Sequence, residues 1–138
     1  MTPSRLNALV ELFSQTLNDT GHLRNAVLAV VVEAQREDYD SEIDRVVQAV
    51  SQWAGGTPAA EIMGDSRLTR VSEARTLSSW LCARRGIGWS EIGRAFRRDH
   101  STVLKVCDAF RVRLRDDELL RVRVKTLQAV LDGRMKAA

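Results

Sequence analysis

Aromatic residues are scarce in this 138-residue chain, which has three Phe, three Trp and one Tyr, and there are only two cysteines, two histidines and two prolines. Each shortage excludes a class. Cys82 and Cys107 form no C-x-x-C pair and His22 lies far from His100. No zinc-ligand spacing and no disulfide framework is therefore present, and free thiols fit a reducing, intracellular compartment. A chain of this length buries roughly two thirds of its unfolded surface and needs neither device. Long apolar runs are also missing: Ala26 to Val32 is the longest, bracketed by Arg24 and Glu33, far short of the ~20 residues that span a bilayer. No membrane partner is expected. The N-terminus lacks the charged region, apolar stretch and small-residue cleavage site of a secretory signal, so the chain is expected to act in the cytoplasm. There is no G-x-x-x-x-G-K-[ST], and Gly86-Ile87-Gly88 is not continued into G-x-G-x-x-G, which argues against an ATPase. No cofactor or metal is expected.

What is present is a charge asymmetry hidden by a net charge of +3. Residues 1 to 64 carry 4 Arg against 9 Asp/Glu, whereas residues 65 to 115 carry 12 Lys/Arg against 5 Asp/Glu. A basic middle in a nearly neutral chain is the electrostatic footprint of a nucleic-acid module. A solvated arginine-rich face produces the same count, so the charge alone leaves both readings open.

Apolar periodicity predicts helices throughout and no strand. Leu6, Leu9, Val10, Phe13 and Leu17 recur at three- and four-residue steps, and Asn18-Asp19-Thr20-Gly21 supplies a stop. Leu23, Val27, Val30, Val31 and Ala34 mark a second helix up to Arg36-Glu37-Asp38. Ser41 with Asp44 imitates a capping box and opens a third, with Ile43, Val46, Val47, Val50 and Trp53 as its stripe and Gly55-Gly56 as its end. Thr57-Pro58 reads as a capping side chain with proline at the first helical position of a short helix ending near Gly64. Asp65 to Arg70 reads as an exposed basic loop. Val71, Ala74, Leu77, Trp80 and Leu81 mark the next helix, which stops at Gly86.

The segment from Ser90 to Phe110 then has the layout of a helix-turn-helix. A short helix with Ile92, Ala95 and Phe96 inward is followed by a tight turn at Arg97-Arg98. Asp99 caps a longer helix whose expected inward residues are Val103, Val106, Cys107, Phe110 and Leu114. That stripe leaves His100, Ser101, Thr102, Leu104, Lys105, Asp108 and Arg111 outward or at the boundary. Short hydrogen-bonding groups at a helix N-terminus suit a recognition helix, whose first turn enters the major groove while orphan N–H groups face phosphate. Asp116-Asp117 begins a last helix with Leu119, Leu120, Val124, Leu127, Val130 and Leu131 as its stripe.

Residues 90 to 107, SEIGRAFRRDHSTVLKVC, closely resemble the signature of the C-terminal DNA-binding domain of the bacterial replication initiator DnaA. The resemblance runs back through Glu73-Ala74-Arg75 to the helix at Ile43 to Trp53 and forward to about residue 132. The first 40 residues have no counterpart in it. It implies an all-α, Trp-repressor-like helical bundle with a helix-turn-helix at 41–138, extended by an N-terminal helical pair at 1–40. The implied partner is double-stranded DNA, at an A·T-rich DnaA box. By resemblance, Asp99, His100, Ser101 and Thr102 read base edges in the major groove. Arg67 enters the adjacent minor groove, where a narrow A·T-rich groove concentrates negative potential, with Arg70 as the substitute if the loop is shifted. Arg70, Arg75, Ser90, Arg97, Arg98, Leu104 and Lys105 fall at or near the phosphate backbone. The family's usual Phe-Gly-Gly-Arg-Asp-His turn is here Phe96-Arg97-Arg98-Asp99-His100, one residue shorter and without glycines. Ser101 stands where threonine is commoner, and these 138 residues hold no counterpart of the family's nucleotide-binding domain.

The residue types at 99 to 101 are those of catalysis, but three consecutive side chains on one helical turn cannot assemble a triad, and no enzymatic activity is expected. Trp53, Trp80 and Trp89 are expected in the core or as staples, and the two cysteines as inert core residues. Arg111, Arg113, Arg115, Arg121 and Arg123 fit a second phosphate stripe or an ordinary solvated face equally. The expected role is occupancy of DnaA-box-like sites at the nucleoid, regulating replication initiation or transcription. The alternative is an adaptor that keeps the fold and binds an initiator or regulator instead of DNA. For the apolar stripes of residues 1–40 three uses stand open: a homodimer, contact with a replication initiator, or packing within the chain.

Overall fold

The computed structural model describes residues 2–53 and 56–133 and contains seven α-helices and no strand among them. The first, α1 (Pro3–Thr20), begins where Thr2 accepts the backbone N–H of Arg5 at 3.1 Å and proline occupies the first turn. It ends at Gly21, whose φ of 68° lets its N–H close onto the Leu17 carbonyl at 2.7 Å, the left-handed termination that glycine adopts without a Cβ clash. Then α2 (Leu23–Trp53) runs unbroken for 31 residues. The break expected at Arg36 to Ser41 does not exist. That stretch holds neither glycine nor proline, and Ser41 stands in the helix interior, where no orphan N–H needs a cap. Gly55, expected to help end this helix, lies outside the described residues, while Gly56 follows at a φ of 76°.

The remaining helices are α3 (Ala59–Ile62), α4 (Thr69–Arg84), α5 (Trp89–Phe96), α6 (His100–Asp116) and α7 (Glu118–Leu131). Pro58 takes the cap position of α3 rather than its first turn. Thr57 is buried, and its carbonyl accepts from Ser51 Oγ at 2.6 Å. A single residue, Asp117, separates α6 from α7 and caps the latter by accepting the Leu120 N–H at 3.0 Å.

By its contacts the chain divides into two compact units, Met1–Asp40 and Ser41–Ala138. In the second, α4, α5 and α6 pack around Leu81, Ile92, Phe96, Val103 and Phe110, all buried. Phe96 is fully enclosed, and side chains of this kind contribute roughly 1.5–3 kcal/mol each on burial. Trp80 is half-buried and packs at a tilt of 59° against Phe110 with centroids 5.5 Å apart, covered by the Arg84 guanidinium. Three expected core positions of this unit differ: Trp89 and Val106 are each 37% exposed, and Leu119, on the first turn of α7, is 70% exposed. Val103, Cys107 and Phe110 already fill the inward face of α6, and residue 106 falls on its shoulder. Cys82 and Cys107 are free and buried, and burial pushes their thiols up to about 12 and about 11, far from the thiolate that would make them reactive.

Candidate nucleic-acid interface

Everything that positions the candidate site starts at the junction of α5 and α6. Gly93 sits inside α5, and a Cβ built there would lie 2.6 Å from the Arg98 carbonyl oxygen and 3.3 Å from the His100 nitrogen. Only a glycine lets the turn cross this close to the preceding helix. Gly93 itself accepts the Arg98 N–H at 2.8 Å, which folds the chain back on α5. Arg97 makes the reversal at φ 55°, ψ 44°, the only non-glycine residue with positive φ among the described residues. It supplies the left-handed step that a glycine-containing turn would take without strain.

Asp99 then caps α6. Its Oδ1 accepts the Ser101 N–H at 2.9 Å and the Ser101 hydroxyl at 2.8 Å. Those two bonds, the hydroxyl first, hold the Asp99 carboxyl below its ordinary range, with smaller help from the charges of His100 and Lys105. His100, Ser101 and Thr102 are exposed on the first turn, with His100 Nδ1 3.7 Å from Asp99 Oδ1. Because the Ser101 proton is committed to Asp99, the remaining lone pairs of Oγ are acceptors, complementary to the amino groups of adenine or cytosine in a major groove. One turn further on, Leu104 and Lys105 are exposed on α6, and Ser90 is exposed near the start of α5.

The second component is the loop that joins α3 to α4. Arg67 is exposed on it, and Arg70 is exposed on the first turn of α4. Neither makes an ion pair or hydrogen bond among the described residues. Beneath the loop lies Arg75, expected at phosphate but only 9% exposed. Its Nε donates to the Ile62 carbonyl at 2.9 Å, and its terminal nitrogens donate to the carbonyls of Ser66 (3.1 Å), Glu61 (3.2 Å) and Gly64 (2.8 Å). Burial, then the nearby Arg98 charge, lowers its pKa, with Asp65 opposing, but a guanidinium stays charged at any ordinary pH. Arg75 is therefore withdrawn from a phosphate role and moulds the loop instead. Arg98 is half-buried and also turned inward. It donates to the Phe96 carbonyl at 3.1 Å and the Gly64 carbonyl at 3.4 Å, with Asp65 at 3.8 Å. Arg97 remains exposed.

Gly93 and the loop-holding roles of Arg75 and Arg98 are what the residue pattern had not revealed. An isolated glycine in a short helix is a signal of close approach. Arg75 also falls in register with the buried Val71, Ser78 and Cys82 of α4.

A short helix, a three-residue turn locked by a glycine, and a longer capped helix with an open first turn define a DNA-binding helix-turn-helix unit. The family described as bacterial dnaA protein helix-turn-helix matches residues 43–110, and this segment of the chain belongs to it. That domain binds DNA and is not itself catalytic. No curated protein matches the chain. No helix among the described residues is long and apolar enough to cross a membrane.

Proposed function

We propose that the chain binds double-stranded DNA sequence-specifically at A·T-rich, DnaA-box-like sites, and that by occupying them on the nucleoid it regulates replication initiation or transcription, without ATPase or other enzymatic activity. The observation that carries this reading is the shared framework of its two reading elements. The first turn of α6 and the Arg67 loop are tied to one another through Arg98 and the Gly64 carbonyl. One such assembly suits a major groove and the minor groove beside it. In this reading Asp99, His100, Ser101 and Thr102 face base edges and Arg67 enters the minor groove. Arg70, Ser90, Arg97, Leu104 and Lys105 lie along phosphate. Residues 1–40 associate with protein rather than with DNA.

The test is a fluorescence-anisotropy titration against a DnaA-box duplex and a scrambled duplex, at low and near-physiological salt. A preference of about 100-fold or more, on the order of specific-to-non-specific ratios for such modules, supports the proposal. Binding that is weak and vanishes equally for both duplexes as salt rises overturns it in favour of the adaptor.

A further inference from the structure

We propose that the unit Met1–Asp40 is a dimerisation module in which one face of the α1–α2 hairpin covers the same face of a second copy of this chain. The proposal does not depend on which duplex the other unit reads. The two-residue connection Gly21-His22 sends α2 back along α1. Arg5 fastens the open end, donating to the Ala34 carbonyl at 2.9 Å and pairing with Glu37 and with Asp38. Within this unit the only apolar side chains fully buried among the described residues are Leu9 and Ala26. A unit of about 40 residues ordinarily needs a disulfide, a metal or a partner chain to hold its fold, and no cysteine is present in this one.

The missing core is displayed on the surface. Helical geometry places Leu6, Val10 and Phe13 of α1 and Leu23, Val27 and Val31 of α2 on the same flank of the α1–α2 seam. Five of these six are 45–62% exposed and Phe13 is half-buried. From Leu6 to Leu17 no charged side chain falls on that flank, and on α2 the exposed Arg24, seven residues before Val31, stands at its outer edge. Asp38, at its edge, is paired with Arg5, which also holds Glu37.

A face with an apolar centre and its charges confined to the edge can meet its own copy about a two-fold axis without burying like charges against one another. The exposed surface of these six residues amounts to roughly 500 Å² per copy, so that a two-fold pairing would bury about 1,000 Å² in total, the small end of specific interfaces. Two hairpins joined this way make a four-helix bundle. The exposed valines of the second unit offer no such face, since Val112 stands between Arg111 and Arg113 and Val122 between Arg121 and Arg123.

Sedimentation of the full chain without DNA tests this. Wild type is expected at twice its 15.5 kDa chain mass at micromolar concentration. Val27→Asp, on the face, is expected to weaken association at least about 100-fold. Val32→Asp, on the opposite flank and 62% exposed, should remain dimeric. Val10→Asp examines the same face from α1, with far-UV circular dichroism reporting whether each hairpin stays helical. A wild-type chain that sediments as a monomer up to about 100 μM overturns the proposal and returns the face to the chain's own second unit or to another protein. Equal dissociation by Val32→Asp overturns the assignment of the face. Neither result bears on duplex preference, which is read separately.

Discussion

Arg75 and Arg98 donate to the same acceptor, the carbonyl oxygen of Gly64, at 2.8 Å and 3.4 Å. One arginine comes from α4 and the other from the turn before α6, so a single peptide unit joins the basic loop to the helix-turn-helix. Two guanidinium groups that look like phosphate contacts in a charge count are thus spent on internal carbonyls. Arg75→Met removes charged donors from the carbonyls of Glu61, Ile62, Gly64 and Ser66. Bonds of this type are worth roughly 1.5–3 kcal/mol each, and the partly exposed carbonyls recover part of that from water, so a net loss of about 2–4 kcal/mol is expected in urea unfolding. Arg75→Lys should recover little, because an ammonium lacks the fork. The salt slope of DNA binding should stay unchanged. A slope lower by about 1 with stability intact would return Arg75 to the phosphate backbone.

Gly93→Ala examines the crossing of α5 by the turn. Alanine in a helix normally gains about 1 kcal/mol over glycine, but here its Cβ would meet the Arg98 carbonyl oxygen at 2.6 Å, which is backbone and cannot rotate away. Overpacking of this sort costs typically 1–3 kcal/mol. The expected outcome is a lower urea midpoint at unchanged m-value together with weaker binding to every duplex. An equal or higher midpoint would show that the turn yields freely.

The helix-turn-helix was legible because its signals are local. The inward spacing of Ile92, Phe96, Val103 and Phe110, the cap at Asp99 and the short basic turn all lie within one stretch of sequence. The continuity of α2 was not legible, since Arg36 to Ser41 has the polarity of a linker, and nothing in composition separates a solvated helical face from a loop. Arg75 and Arg98 were misplaced for a related reason. Charge reports the need for partners but not whether they are phosphates or carbonyls, and only the fold brings the carbonyls of residues 61 to 66 over α4.

Arg97→Gly should stabilise the protein. A non-glycine residue in the left-handed region costs roughly 1–2 kcal/mol, and glycine returns about 0.4–1 kcal/mol of that through the freedom it gives the unfolded chain. A net gain of about 0.5–1 kcal/mol in thermal or urea unfolding is expected, with box and scrambled duplexes losing affinity alike, because the exposed cation removed lies along phosphate in the proposed reading. A destabilised variant would mean that the Arg97 side chain, not its backbone, holds the turn.

The Asp99 cap gives stability a pH signature. Its folded-state pKa is depressed by the two bonds from Ser101. The contribution is therefore fully present above the unfolded value of about 3.9 and lost as pH falls through the folded one. Asn caps as well as Asp but does not titrate. The stability of wild type relative to Asp99→Asn should accordingly be constant near neutrality and decline in acid, below about pH 4. A gap that does not move with pH would show that the carboxylate is not held by Ser101 in solution.

His100 and Lys105 separate reading from attraction. His100 stands on the first turn of α6 beside the cap, whereas Lys105 is exposed one turn further on, and in the proposed reading the first meets a base edge and the second lies along phosphate. His100→Ala should cost about 1–3 kcal/mol on a box duplex and much less on a scrambled one, so that specificity relaxes. Lys105→Ala should weaken both duplexes by the same factor and lower the salt slope by about 1, because the charge it removes displaces counterions from any sequence. The two variants thus differ in kind rather than in size. Equal losses on both duplexes for His100→Ala would place the imidazole on the backbone, and leave base reading at this turn to Ser101, Thr102 and the Asp99 carboxylate.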